Sequence, residues 1–399
     1  MFLDAWRMHR EFSFDPAMRG VDWNAVRERY QPLLTRVADR DELDDLIGQM
    51  TAELGILHSQ LRPGDDRSDT ETAQPAALGA DLEPASGGMR IAHIFQGDPE
   101  LPDSLSPLAS PGVDVRDGDL LVAINGQPVA DAAALAAALA NQAGRQVLLD
   151  LHRAGASRKA VVVPVGAREE AGLRQGDWEW QRRAHALAAS DGRIGYLHLC
   201  AMGGNDIATF AREFYANVEK DGLIIDVRRN NGGNIDSWII EKLLRRTWAY
   251  WTYADGSVER NMQRGFRGHV AVLIDEKTYS DGETFAAGIK ALKLAPLIGQ
   301  RTAGAGIWLS DRNRLVDGGM ARVAEFPQFS AEDGRWLVES IGVAPDIAVV
   351  NPPVATFNGG DAQLDAAISY LEEQLAKAPV PQLTPAPLPP RGTSAKPVR

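Results

Sequence analysis

Two places in the sequence set small polar residues where a strand passes into a helix, and both could serve acyl chemistry. At the first, Leu223-Ile224-Ile225-Asp226-Val227 runs into Arg228-Arg229-Asn230-Asn231-Gly232-Gly233-Asn234. Paired glycines let backbone approach a ligand closely and turn its amides toward a developing negative charge. They also make an ordinary connecting turn, and taken alone that plainer reading is the stronger. At the second, Val270-Ala271-Val272-Leu273-Ile274-Asp275 leads into Glu276-Lys277-Thr278-Tyr279-Ser280-Asp281-Gly282-Glu283. Ser280 and Glu283 have the form of a capping box, which accounts for both residues. A serine there could equally be a nucleophile, with the amide of Asp281 open to an oxyanion.

A serine nucleophile needs a base, usually histidine, and an acid that orients it. Of the seven histidines, His9 falls in the first helix, His93 and His152 in a β-rich middle segment, and His185 just after it. His198 alternates with Tyr196 and Cys200 along a strand, the pattern of a satisfied buried histidine. His269 opens the strand that leads to Ser280, so it belongs at that strand's far end. His58 closes the N-terminal helical segment in Leu54-Gly55-Ile56-Leu57-His58-Ser59. Spacing alone does not choose among them, and a packing role for His58 remains open.

These residues must be positioned by elements that the periodicity foretells. Residues 1–70 show helical spacing, with Asp41 as the expected cap of the second long helix. Residues 71–185 read as short strands about one alanine-rich helix, Ala132 to Ala140, with Asn125-Gly126 as a tight turn. Residues 186–375 alternate strand and helix, the signature of a mainly parallel sheet with crossover helices. Arg62 to Asp69 reads as a loop, and the Pro-rich stretch 376–399 as a disordered tail.

Bulk properties narrow the partners. A chain of 399 residues has material for two or three domains, and a net charge of -12 argues against a general nucleic-acid or membrane-surface binder. The one cysteine, Cys200, excludes an internal disulfide and fits a small buried side chain. The N-terminus has no basic stretch followed by an apolar run, so a cytoplasmic location is the default expectation.

The run Val115-Arg116-Asp117-Gly118-Asp119-Leu120-Leu121-Val122-Ala123-Ile124-Asn125-Gly126 resembles a PDZ domain of processing proteases, which implies an extended peptide as partner. The glycine junction, the Thr278-to-Glu283 stretch and Gly334-Arg335-Trp336-Leu337-Val338-Glu339-Ser340-Ile341-Gly342-Val343 together resemble the catalytic half of the tricorn proteases, relatives of the C-terminal processing proteases. The likeness runs from Asp4-Ala5-Trp6-Arg7 to Ala366-Ala367-Ile368. It implies an α/β multidomain chain: a helical domain, a PDZ-like β-rich domain and a crotonase-like α/β serine protease domain.

The resemblance also implies roles. Ser280 would be the nucleophile, the amide of Asp281 one oxyanion donor, and Gly232 or Gly233 the other. His58 would be the general base and Glu339 the acidic member that orients it through a further hydrogen-bonded group. The family carries a serine immediately before its histidine, where this chain has Leu57, so one hydrogen bond is lost or rerouted. The β-propellers that precede the catalytic half in the full-length family protein have no counterpart here. No cofactor or metal is implied. The expected substrate is a peptide or unfolded segment, and a homo-oligomer is compatible with the resemblance. Two other readings stand beside the peptidase: a weak or inactive peptide-binding scaffold, and a crotonase-type enzyme acting on an acyl thioester.

Overall fold

The computed structural model describes residues 1–64, 73–381 and 384–388. The chain divides into two compact units, one of Met1–Asp66 with Ala186–Arg399 and one of Arg67–His185.

In the first unit the N-terminal helices are α1 (Phe2–Phe12), α2 (Trp23–Tyr30) and α3 (Arg40–Ala52). Trp6 and Trp23, both buried, tie α1 to α2 by giving each indole N–H to the other's carbonyl, at 2.8 and 2.9 Å. The cap of α3 is Asp39, which accepts from the Glu42 amide at 2.9 Å, rather than the expected Asp41. Asp41 lies two residues too late, already in the first helical turn, where its charge suits the helix dipole instead. The apolar faces of these helices share a core with Ile307, Leu315, Ala321 and Ala324, so the helical segment folds onto the α/β region.

The second unit holds a meander of β1 (Ala80–Ala85), β2 (Gly88–Ile94), β3 (Leu120–Ile124), β4 (Val147–Arg153) and β5 (Ala156–Val162), antiparallel in that order. Asn125 and Gly126 have φ of 51° and 77°, the left-handed pair that a tight hairpin turn requires. The helix α4 (Ala132–Leu139) is the alanine-rich one. A 23-residue helix, α5 (Ala167–Ala189), follows, one that the reading of 71–185 as short strands about a single alanine-rich helix did not include.

The α/β region alternates β6 (Ile194–His198), α6 (Gly204–Ala216), β7 (Gly222–Asp226), α7 (Asp236–Leu244), β8 (His269–Ile274), α8 (Asp281–Ala291), β9 (Leu297–Gly299) and β10 (Ile347–Ala348), with α9 (Ala362–Lys377) last. The five strands of its main sheet are all parallel and lie in sequence order. Leu197, Ile225, Val272 and Leu297 stand abreast across the sheet and face the core built with α6, α7 and α8. Their neighbours Tyr196, Ile224 and Ala271 face α9 on the other side. Each fully buried aliphatic side chain contributes about 1.5–3 kcal/mol, so the row makes a stiff floor under the strand ends. Most of the expected tail, and part of the Arg62–Asp69 loop, lie outside the described residues.

Candidate active site

The loops after β6, β7 and β8 meet at one edge of the sheet, where strands end and helices begin. Ser280 is the residue before α8, with φ 54° and ψ -120°. A non-glycine residue held there costs of order 1–3 kcal/mol and persists because its surroundings over-determine it. Thr278 supplies part of that constraint: its hydroxyl donates to the Val227 carbonyl at 2.9 Å and accepts from Asp275 N–H at 3.0 Å.

The capping box is only half used. The Ser280 N–H donates to the Glu283 carboxylate at 3.2 Å, but the Glu283 N–H goes to the Ser280 carbonyl at 2.9 Å. The Ser280 hydroxyl makes no cap bond. Being spared that duty, it is available as a reacting group.

The glycine turn lies directly against it. A Cβ added to Gly232, whose φ is +84°, would fall 2.9 Å from the Ser280 Oγ and 3.1 Å from the Asp281 nitrogen. One added to Gly233 would fall 1.9 Å from the Met202 carbonyl oxygen, so neither position has room for a side chain. The Gly232 N–H is taken by Asn230 Oδ1 at 2.8 Å. Neither the Gly233 N–H nor the Asp281 N–H has a hydrogen-bond acceptor among the described residues. Of the two glycines that the sequence left open, Gly233 is thus the one whose amide is unspent.

Asn230, part of the glycine motif but with no role read from sequence, stitches the edge together. Fully buried, it donates from Nδ2 to the Leu199 carbonyl at 2.7 Å, and its own carbonyl accepts from Tyr279 N–H at 2.9 Å. Its side chain also abuts Gly282, where a Cβ would lie 2.8 Å from Oδ1. An uncharged residue ahead of two glycines is the only sequence signal it gives.

His58 is buried and sets its ring edge-on to Tyr279, the residue before Ser280, with centroids 4.8 Å apart at 64°. Burial, and then the charge of Arg322, lower its pKa to about 4 against an opposing pull from the Ile307 backbone. Its Nδ1 is buried with no hydrogen-bond partner among the described residues. Leu57 points its side chain outward, 46% exposed, while its amide lies 3.4 Å from Glu339 Oε1. Its carbonyl accepts from the Tyr279 hydroxyl at 3.2 Å and from Gln60 Nε2 at 2.9 Å. Burial, with the Glu339 and Glu283 carboxylates, pushes Tyr279 up to about 12, so it stays a neutral phenol.

Glu283 is fully buried and accepts from Thr302 Oγ1 at 2.5 Å, Gly304 N–H at 2.6 Å and Ala305 N–H at 2.7 Å. Burial raises its pKa and these donors pull it back. Glu339 takes the next two amides, Gly306 at 2.9 Å and Ile307 at 3.2 Å. The segment 304–307, unremarked in the sequence, is thereby fixed beside His58.

Three of the other histidines are held elsewhere. His198 is buried with Nε2 2.9 Å from the Arg228 carbonyl, and His269 lies at the opposite end of β8 with Nε2 2.7 Å from the Ala378 carbonyl. His93 pairs with Asp177 at 2.9 Å in the second unit.

A serine on a strained strand-to-helix turn, in a parallel α/β sheet and beside unspent amides, defines a serine-peptidase type of domain, and residues 193–349 match Peptidase family S41. Residues 76–167 match the Tricorn protease PDZ domain and residues 1–52 the Tricorn protease C1 domain. The chain belongs to the tricorn protease family. It is 38% identical to Tricorn protease homolog 1 of Streptomyces coelicolor, over 95% of this chain and 36% of that one. To the Tricorn protease of Thermoplasma volcanium it is 29% identical, over 94% of this chain and 36% of that one. It superposes on the crystal structure of the tricorn protease with a TM-score of 0.88 at 28% identity, covering 94% of this chain and 36% of the other. The chain thus spans about a third of the length of these relatives.

Proposed function

We propose that the chain is a serine peptidase that cleaves peptides or unfolded segments through an acyl-enzyme on Ser280. The observation that carries this reading is the packing of His58 on Tyr279 beside a serine whose hydroxyl is not spent on its helix cap. His58, neutral above about pH 4, takes the hydroxyl proton and returns it to the leaving amine. The Asp281 and Gly233 amides receive the oxyanion, with Gly232 supplying the close approach. Glu339 orients the histidine indirectly, by holding the amides of Leu57 and Ile307.

The α/β region follows a crotonase-like plan in this reading, and the four-part division into helical domain, PDZ-like domain, catalytic domain and tail is kept. A cytoplasmic setting is proposed with it. No described helix is long and apolar enough to cross a membrane. The PDZ-like unit presents extended peptides, the partner its fold suits.

Peptide hydrolysis by wild type, His58→Ala and Glu339→Gln tests the roles. His58→Ala should lose at least about 10²-fold in kcat and Glu339→Gln about tenfold, with KM nearly unchanged. Full activity in His58→Ala would remove it as the base.

A further inference from the structure

Asp281 enters the mechanism above only through its main-chain N–H, yet its side chain is fully buried. Oδ2 accepts from the Ile235 amide at 2.7 Å and the Asp236 amide at 3.1 Å. These amides open α7, and Ile235, the residue at its N-cap position, provides no side-chain cap. They also lie two and three residues beyond Gly233. The residue that offers one candidate oxyanion amide therefore grips, through its carboxylate, the segment that carries the other.

We propose that the Asp281 side chain is a positioning residue for the oxyanion hole, locking the Gly232–Gly233 turn to the first turn of α8 through the amides of Ile235 and Asp236. The inference rests on the peptidase reading. Oδ1 is buried with no hydrogen-bond partner among the described residues, so no donor there favours the charged form. The charged group acting on it is Asp236 of α7; Glu283, on Asp281's own helix, is turned to Thr302, Gly304 and Ala305. Burial, and then Asp236, raise Asp281 to about 7 against the pull of the two amides. Losing the proton would leave two carboxylates in contact beneath the oxyanion hole, so kcat falls as pH rises through 7.

The test compares wild type, Asp281→Ala, Asp281→Asn and Asp236→Asn by peptide hydrolysis against pH and by hydrogen exchange at Ile235 and Asp236. Asp281→Ala should lose about 10²-fold in kcat with KM within threefold, because the amide donor remains but its partner is no longer held in register. Asp281→Asn, which can still accept from both amides, should recover most of that loss. It should also abolish the alkaline fall near pH 7, as should Asp236→Asn. The two amides should exchange fast in Asp281→Ala and slowly in wild type and Asp281→Asn. A loss confined to KM, an asparagine variant as poor as alanine, or a fall near pH 7 that persists in both asparagine variants would overturn the proposal. If Asp281→Ala does not fold, the two asparagine variants decide it. If wild type hydrolyses no peptide, the peptidase reading fails by itself, and slow exchange of both amides in every variant overturns the lock independently.

Discussion

Glu283 and Glu339 divide four consecutive amides between them: Glu283 accepts from Gly304 and Ala305, and Glu339 from Gly306 and Ile307. The first carboxylate also holds the Ser280 N–H and the second lies beside the Leu57 N–H. One short segment is thus the common support of the serine side and the histidine side of the site. Catalysis by such a site depends on fixed geometry more than on any single group.

The contact between Gly232 and Ser280 leaves no space for a methyl group. Gly232→Ala would set its Cβ 2.4 Å from the Ser280 Cβ at a backbone φ of +84°. The variant should fold, with a loss of about 1–2 kcal/mol from the left-handed backbone, while kcat for peptide hydrolysis falls at least about 10²-fold. Thermal denaturation and steady-state kinetics measure the two effects. Wild-type kinetics in this variant would mean that the glycine turn takes no part.

Leu57 brings no hydrogen-bonding side chain to its neighbour His58, whose Nδ1 has no partner among the described residues. Its apolar side chain is turned to solvent, on the residue whose amide already touches Glu339. Leu57→Ser would supply a hydroxyl between carboxylate and imidazole. It should raise kcat about threefold or more and move the acid limb of the pH profile upward from about 4, since the new bond favours the protonated ring. An unchanged limb and rate would show that the lost hydrogen bond is immaterial.

Stability carries its own pH signature through His9, which is fully buried in the helical core and lowered to about 4 by that burial. The unfolded chain takes up this proton near 6.5, whereas the folded one refuses it until about 4. The contribution is therefore whole above 6.5 and is lost as pH falls through that window. The stability advantage of wild type over His9→Gln should shrink by about 2–3 kcal/mol between pH 7 and 4.5. Urea midpoints read the difference, and a constant gap would contradict the burial account.

Three strands of the parallel sheet were legible because Leu197, Ile225 and Val272 lie in short apolar runs bounded by turn residues, a pattern that local periodicity reports, whereas β9 and β10, of three and two residues, are too short to show it. Ser280 and the glycine turn were legible as candidates because both fall at strand ends. Asn230, Gly304 to Ile307 and the side chain of Asp281 were not. Their roles consist of hydrogen bonds to residues far away in sequence, and no spacing rule encodes those. Asp41 shows the finer limit: two aspartates, Asp39 and Asp41, precede the same apolar run, and backbone conformation decides which one caps. The helix Ala167–Ala189 escaped notice because its mixed polar sequence carries only a weak apolar stripe.

The most direct test of the account is fluorophosphonate labelling of the intact chain, with the modified residue located by peptide mass spectrometry. Covalent addition to Ser280 in wild type, absent from Ser280→Ala along with peptide hydrolysis, is the predicted result. Peptide hydrolysis that survives in Ser280→Ala, or labelling at another serine, would contradict it.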